Sequence, residues 1–299
     1  MPDPSAAAAL GLEPGRRFAI VHCDDIGMCH AANEGAFEVL LEGRATCGSL
    51  MVPCPWFPEA VARARSHPEL DLGVHLTLNA EWEGYRWGPV LGARGVPSLV
   101  DAGGRLPRTS AEVVAQARPE EVRAELRAQV ERAFEAGIDV THLDAHMGTA
   151  LYPPFLEIYA ELAEHFRLPA MLVRPDPALL RARGLSLAQP VFEALVDRLE
   201  RAGFPVLDGL DPESLGFSEG TGEAHNRARL ERLVPGLNYL ICHPARDGEE
   251  LRAITPDSAH HRDFERRFWG AGGRGGELLD ELGIATLGMR PLRDLLRGG

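Results

Sequence analysis

The chain has 299 residues with ordinary hydrophobic (45%) and charged (25%) fractions, enough for one large domain with a sizeable core. Its net charge of −13 argues against nucleic acid or an anionic membrane as a partner, because phosphate binding needs a basic footprint. Every basic residue apart from histidine is Arg; the absence of Lys excludes Schiff-base, pyridoxal-phosphate and Walker A chemistry.

The five Cys (23, 29, 47, 54 and 242) are odd in number and form no C-x-x-C pair, so they read as buried apolar residues in a reducing compartment. Residues 1–16 read as a disordered extension whose Ala run is too short for a signal core, and no stretch approaches the ~20 apolar residues of a membrane span. The expected location is cytoplasmic, with residues 17–299 forming a single domain.

From there, strands and helices alternate. Phe18–Cys23 is a buried run; Ala31–Glu42 is a helix closed by Gly43; Thr46–Val52 is a strand; Pro58–Ser66 is a helix. Leu72–Leu78 is a third strand. Residues 79–110 form a Gly-rich excursion holding Trp82, Tyr85 and Trp87. Pro119–Ala136 is strongly helical, with Val122, Leu126, Val130 and Phe134 recurring every four residues. Strands follow at Val140–Leu143, Ala170–Val173, Phe204–Leu207 and Leu237–Cys242, with Ile284–Leu287 the last. Helices are expected at Pro154–Phe166, Pro190–Ala202, Arg227–Leu233, His261–Trp269, Gly276–Leu282 and Leu292–Leu296. Such alternation with right-handed crossovers specifies an α/β fold. The expected form is a TIM-like (β/α) barrel of seven to eight strands, complete or partly open, with a doubly wound sheet as the alternative.

The chemistry gathers at strand ends, where barrels of parallel strands carry their sites. Asp24-Asp25-Ile26-Gly27 leaves the first strand with two adjacent acids, costly to ionise together unless a cation is near. One can ligate a metal while the other acts as a base; otherwise the motif is a turn that starts a helix. His75 lies in an apolar strand, as a ligand or a hydrogen-bonded core residue. His142, Asp144 and His146 share one face at period two, a polar face that packing alone does not explain. His146, furthest along, suits a ligand, with Asp144 and His142 orienting it. His243, before Pro244, can protonate a leaving amine or simply cap a turn. Trp82, Tyr85 and Trp87 can stack on sugar rings, or pack on the barrel rim or on a second subunit of a homodimer. A carboxylate with two imidazoles suits a divalent ion.

Asp24-Asp25-Ile26-Gly27 followed by Asn33, with Thr46–Met51, Gly73–Leu78, His142–His146 and Cys242-His243-Pro244, resembles the YdjC/ChbG family of carbohydrate deacetylases. The likeness runs from about residue 17 to about residue 290. It implies a barrel related to polysaccharide deacetylases that hydrolyses the N-acetyl group of an amino sugar. By matching positions, Asp25, His75 and His146 would hold one divalent metal, zinc by ligand softness or the magnesium usually described for the family. Asp24 would be the base, His243 the acid, and Arg174 would fix Asp24. His22, Asn33, His142, Asp144 and the three aromatics would support the metal or the substrate. The chain departs from the family pattern at three places: Ala145 replaces a Ser, Ala150 stands where a further His is common, and His22 replaces an Asn before the acids. Competing expectations are a non-catalytic barrel that binds metal or sugar, and a two-His, one-carboxylate Fe(II) enzyme.

Overall fold

The computed structural model describes residues 6–174, 176–182 and 184–298. Its strands are β1 (Arg17–Ile26), β2 (Cys47–Leu50), β3 (Leu72–Leu76), β4 (Val140–Ala145), β5 (Gly209–Asp211), β6 (Gly236–Cys242) and β7 (Ala285–Thr286). All pair in parallel, in the order β4-β3-β2-β1-β6-β5, with β7 set against β1. Between β4 and β5 the ladder gives way to two isolated parallel bridges, Leu143 to Ala170 and Val173 to Leu207. The strands expected at 170–173 and 204–207 are reduced to these contacts. Pro169 and Pro205 have no N–H to donate to a ladder there.

The sheet is curled into an incomplete barrel, and side-chain contacts prove the curl. β1 and β4 are three places apart, about 14 Å in a flat sheet at ~4.8 Å per strand. Yet His22 Nε2 of β1 lies 2.7 Å from His142 Nε2 of β4, and Tyr239 Oη of β6 lies 3.4 Å from Asp144 of β4. A doubly wound sheet, with helices on both faces, does not allow those contacts. Gly73 of β3 makes room for them: a Cβ there would lie 2.6 Å from His142 O and 2.7 Å from its ring.

The period of two sorts each strand. Ala19, Val21 and Cys23 face the outer core under the helices, while Phe18 and Ile20 face the barrel interior. Leu237 and Tyr239 join that interior from β6, and Met289 and Leu292 join it from the C-terminal segment. Of the extension expected to be disordered, residues 1–5 lie outside the described residues, but Ala6–Ala9 is helical. Ala6 is buried, and Leu10 and Leu12 pack with it against this inner cluster, so burial of an apolar barrel floor orders the segment. The other outlier is Phe134, on the expected apolar stripe of the helix Pro119–Glu135. It is exposed, with its ring centroid 5.8 Å from that of Phe166. All five cysteines are free and buried.

Candidate active site

At the C-terminal end of the barrel the interior turns from apolar to ionisable. Next inward after Ile20 on β1 come His22 and Asp24. Asp25 would ordinarily face the opposite way, but its φ of 65° and a register shift between Cys23 and Ile26 turn it inward as well. A non-glycine residue in that region costs on the order of 1–3 kcal/mol, so the surroundings must hold it there. Part of that hold is Asn33. Its Oδ1 accepts from Gly27 N at 2.6 Å, and its Nδ2 donates to Trp56 O and Glu59. Asn33 therefore braces the turn and does not face the cluster.

Asp25, His75 and His146 are all buried and bring one ligand atom each within 4.8 Å of one another. Asp25 Oδ2 accepts from Arg262 Nη1 at 2.8 Å. Its Oδ1 is buried with no well-formed hydrogen bond, 3.3 Å from His146 Nδ1 and 3.7 Å from His75 Nε2. An orphaned carboxylate oxygen between two imidazoles is a donor set that could hold a divalent cation. The supporting atoms fit that reading. His75 Nδ1 pairs with Asp144 Oδ1 at 2.9 Å, leaving Nε2 free toward Asp25, and Ser49 Oγ bridges the same pair. This is the carboxylate–histidine arrangement that orients metal-binding imidazoles. His146 Nε2 meets Glu81 at 3.0 Å.

Asp24 stands beside this cluster. Its Oδ1 accepts from His22 Nδ1 at 2.7 Å, and His22 is backed by His142. Its Oδ2 is 3.8 Å from His75 Nε2 and 3.8 Å from His243 Nε2. His243 follows Leu237, Tyr239 and Ile241 on the inward face of β6. It is held by Ser214 Oγ at its Nδ1 (2.9 Å) and by Glu265 at its backbone N–H (2.7 Å).

Electrostatics separate these groups. Burial favours a neutral Asp25, but the Arg262 guanidinium and His146 outweigh it and hold the carboxyl well below its ordinary range. Burial opposes charge on His146, yet Glu81 and Asp25 raise it to about 10. His75 is likewise raised against its burial, by Asp144 and Asp24. His243 is lowered because burial outweighs Asp25 and Asp24. His142 is pushed well below its usual value by burial and by His22.

The aromatic excursion packs on its own chain. Trp87 is buried, with its ring 6.3 Å from that of His146; Trp82 lies under the Arg262 guanidinium at 5.9 Å. Tyr85 Oη donates to Met28 O at 2.7 Å. These rings wall the Asp25–His146 side of the site.

A YdjC-like protein family profile matches residues 18–271. The chain belongs to the YdjC-like family. Two relatives bear the name carbohydrate deacetylase. One, from Thermus thermophilus, is 39% identical over 250 residues, covering 84% of this chain and 86% of its own. The other, from Brevibacillus brevis, is 39% identical over 230 residues, covering 72% and 88%. The fold matches a crystal structure from Enterococcus faecalis V583, a candidate cellobiose-phosphate cleavage protein. That match has a TM-score of 0.76 and 23% identity and covers 93% of this chain and 99% of that one.

In this YdjC-like chain one expected residue lies elsewhere. Arg174 is exposed and pairs with Asp197 (3.4 Å) and Glu200 (2.5 Å), not with Asp24. Strand alternation explains the correction: Val173 lines the interior cavity, so its neighbour Arg174 turns outward. The arginine inside the site is Arg262, from the helix Ala259–Trp269, and it holds Asp25. Sequence reasoning missed it along with Ser49, Glu81, Ser214 and Glu265. Of these only Ser49 carried a signal, being two residues past the inward Cys47 on β2. Among the described residues no helix is long and apolar enough to cross a membrane.

Proposed function

We propose that this YdjC-like protein is a metal-dependent hydrolase that removes the N-acetyl group of an amino sugar. The observation that carries the reading is the position of Asp24 Oδ2, equidistant at 3.8 Å from His75 Nε2 and His243 Nε2, beside the buried Asp25–His75–His146 set. The relatives' name, carbohydrate deacetylase, supports a carbohydrate as the substrate.

Asp25, His75 and His146 would hold the ion, whose two imidazoles favour zinc or another transition metal over magnesium. When bound, a divalent ion supplies Lewis acidity toward an amide carbonyl and makes water acidic near neutral pH. Asp24, fixed by His22, takes the proton of the attacking water. His243, fixed by Ser214 and Glu265, protonates the departing amine. Burial lowers its pKa, so in the metal-free protein the ring is neutral at pH 7 and must take up a proton before it can donate one. A pure binding protein has no use for such a base–acid pair. Acetate release from N-acetylglucosamine and N,N′-diacetylchitobiose, measured with the metal-free protein and after zinc or magnesium loading, tests the reading. Release that does not depend on metal, or no release at all, overturns it.

An imidazole must be neutral to ligate, and His146 in the metal-free protein titrates at about 10. Metal affinity should therefore weaken by about tenfold per pH unit as pH falls below that value, and more steeply once His75, also raised, takes its proton. Calorimetry in two buffers of different ionisation enthalpy should register at least one proton released at pH 7, from His146, with a further share from His75, which is also raised. The sign for stability is opposite. The folded pKa is raised, so the contribution of His146 to the metal-free fold is complete below its unfolded pKa and is lost as pH rises through about 10.

Arg262→Met removes the partner of a buried carboxylate and should destabilise the metal-free protein by about 3–5 kcal/mol. Thermal unfolding with and without zinc checks this, because a cation at Asp25 should restore most of the loss.

A further inference from the structure

The site opens on one side into a cavity of about 270 Å³, walled by Asp24 and His243 and otherwise mostly by side chains that suit a hydrocarbon. Its walls include Leu151, Met171, Val173, Phe192, Leu210 and Ile241. Apart from Asp24 and His243, only Tyr152 and Asp176 among the described lining residues bring polar side chains. A sugar unit buried there would leave most of its hydroxyls unpaired, which polar groups do not tolerate. The apolar surface also continues outward. Leu185, just before the turn Ser186–Ala188, and Phe192, on the helix Gln189–Arg201, line the cavity. In the same segment Leu187 is 99% exposed and Val191 52%. Large apolar side chains left in water beside an apolar cavity mark a surface that meets an apolar ligand.

We propose that this cavity receives an apolar aglycone: the substrate is an N-acetylated amino sugar whose anomeric substituent is a hydrocarbon, not a further sugar. The inference rests on the deacetylase reading above, because it uses the role of His243. The proton donor to the leaving amine lies on the cavity wall, so the amine-bearing half of the substrate, not the acetyl methyl, faces the cavity.

The zinc-loaded enzyme is assayed on methyl and octyl N-acetyl-β-glucosaminide, both below micellar concentration, on N,N′-diacetylchitobiose, and on N-octanoylglucosamine. Each buried methylene is worth roughly fourfold, so two or more should raise kcat/KM for the octyl over the methyl glycoside by about tenfold or more, mainly through KM. Phe192→Asp and, as a milder second variant, Leu185→Ser should bring that ratio toward one. The proposal falls if the wild-type ratio is near one, if diacetylchitobiose is preferred, or if both variants keep the ratio. Preference for N-octanoylglucosamine would make the cavity an acyl pocket and also sinks it. Absence of release from all four compounds instead overturns the deacetylase reading itself.

Discussion

Asp24→Asn should lower acetate release by about 10²–10⁴-fold while metal content stays at the wild-type level. The substitution is close to isosteric. The amide oxygen still accepts from His22 Nδ1, now 2.7 Å from Asp24 Oδ1, so the side chain keeps its orientation. The other oxygen, between His75 and His243, becomes an NH₂ that cannot take a proton from water. Asp24 is not among the Asp25–His75–His146 donors, so elemental analysis should find the same metal stoichiometry. The loss should fall in kcat more than in KM, since the proton moves only as the barrier is crossed. Full turnover by the variant would remove Asp24 as the base. Loss of metal would instead make it a ligand.

The legible parts of the fold and of the candidate site share one origin, a backbone period that reaches across the molecule. On β4 the alternation of His142, Asp144 and His146 with buried Leu143 marks an ionisable inner face, and on β6 the run Leu237, Tyr239, Ile241, His243 extends the same line. That rule places the inward residues in one interior, but it does not say which of them touch. Spacing alone makes His142 a support for His146; in the fold it contacts His22, and through His22 it backs Asp24. The period also fails where a strand breaks. Asp25 faces inward only because of its positive φ, which two adjacent acids alone do not reveal. Arg174 shows the converse, since its place beside the inward Val173 made the outward direction readable from alternation alone. Arg262 and Glu265 were not readable by any local rule. Both lie on the helix Ala259–Trp269, where they reach inward to Asp25 and to the His243 backbone. Their neighbours Asp263 and Arg266 pair instead with each other. Nothing in a helical period distinguishes a buried charge that meets a partner 237 residues away from a solvated one.

His75→Ala should weaken metal binding by about 10²–10³-fold, and Asp144→Asn by about 10–100-fold. The larger figure follows from removing one ligand of a small set, since the ~10–16 kcal/mol of a four-ligand zinc site divides to roughly 2.5–4 kcal/mol per ligand. The smaller one follows from geometry. Asp144 Oδ1 sits 2.9 Å from His75 Nδ1, which fixes the ring so that Nε2 faces Asp25; Ser49 also touches both. An amide at 144 can still accept from Nδ1–H, but it no longer lends charge to the imidazole. Asp144 also helps raise His75, so Asp144→Asn should lower the pH at which His75 becomes neutral. Its binding defect should therefore be larger above pH 7, where loss of ligand basicity dominates, than at acidic pH, where easier deprotonation offsets it. Competition with a chromophoric chelator across pH 6–9, with circular dichroism to confirm the fold, separates the two variants. Equal, pH-independent defects would mean that Asp144 acts only through packing, and unchanged affinity in His75→Ala would dissolve the proposed metal centre.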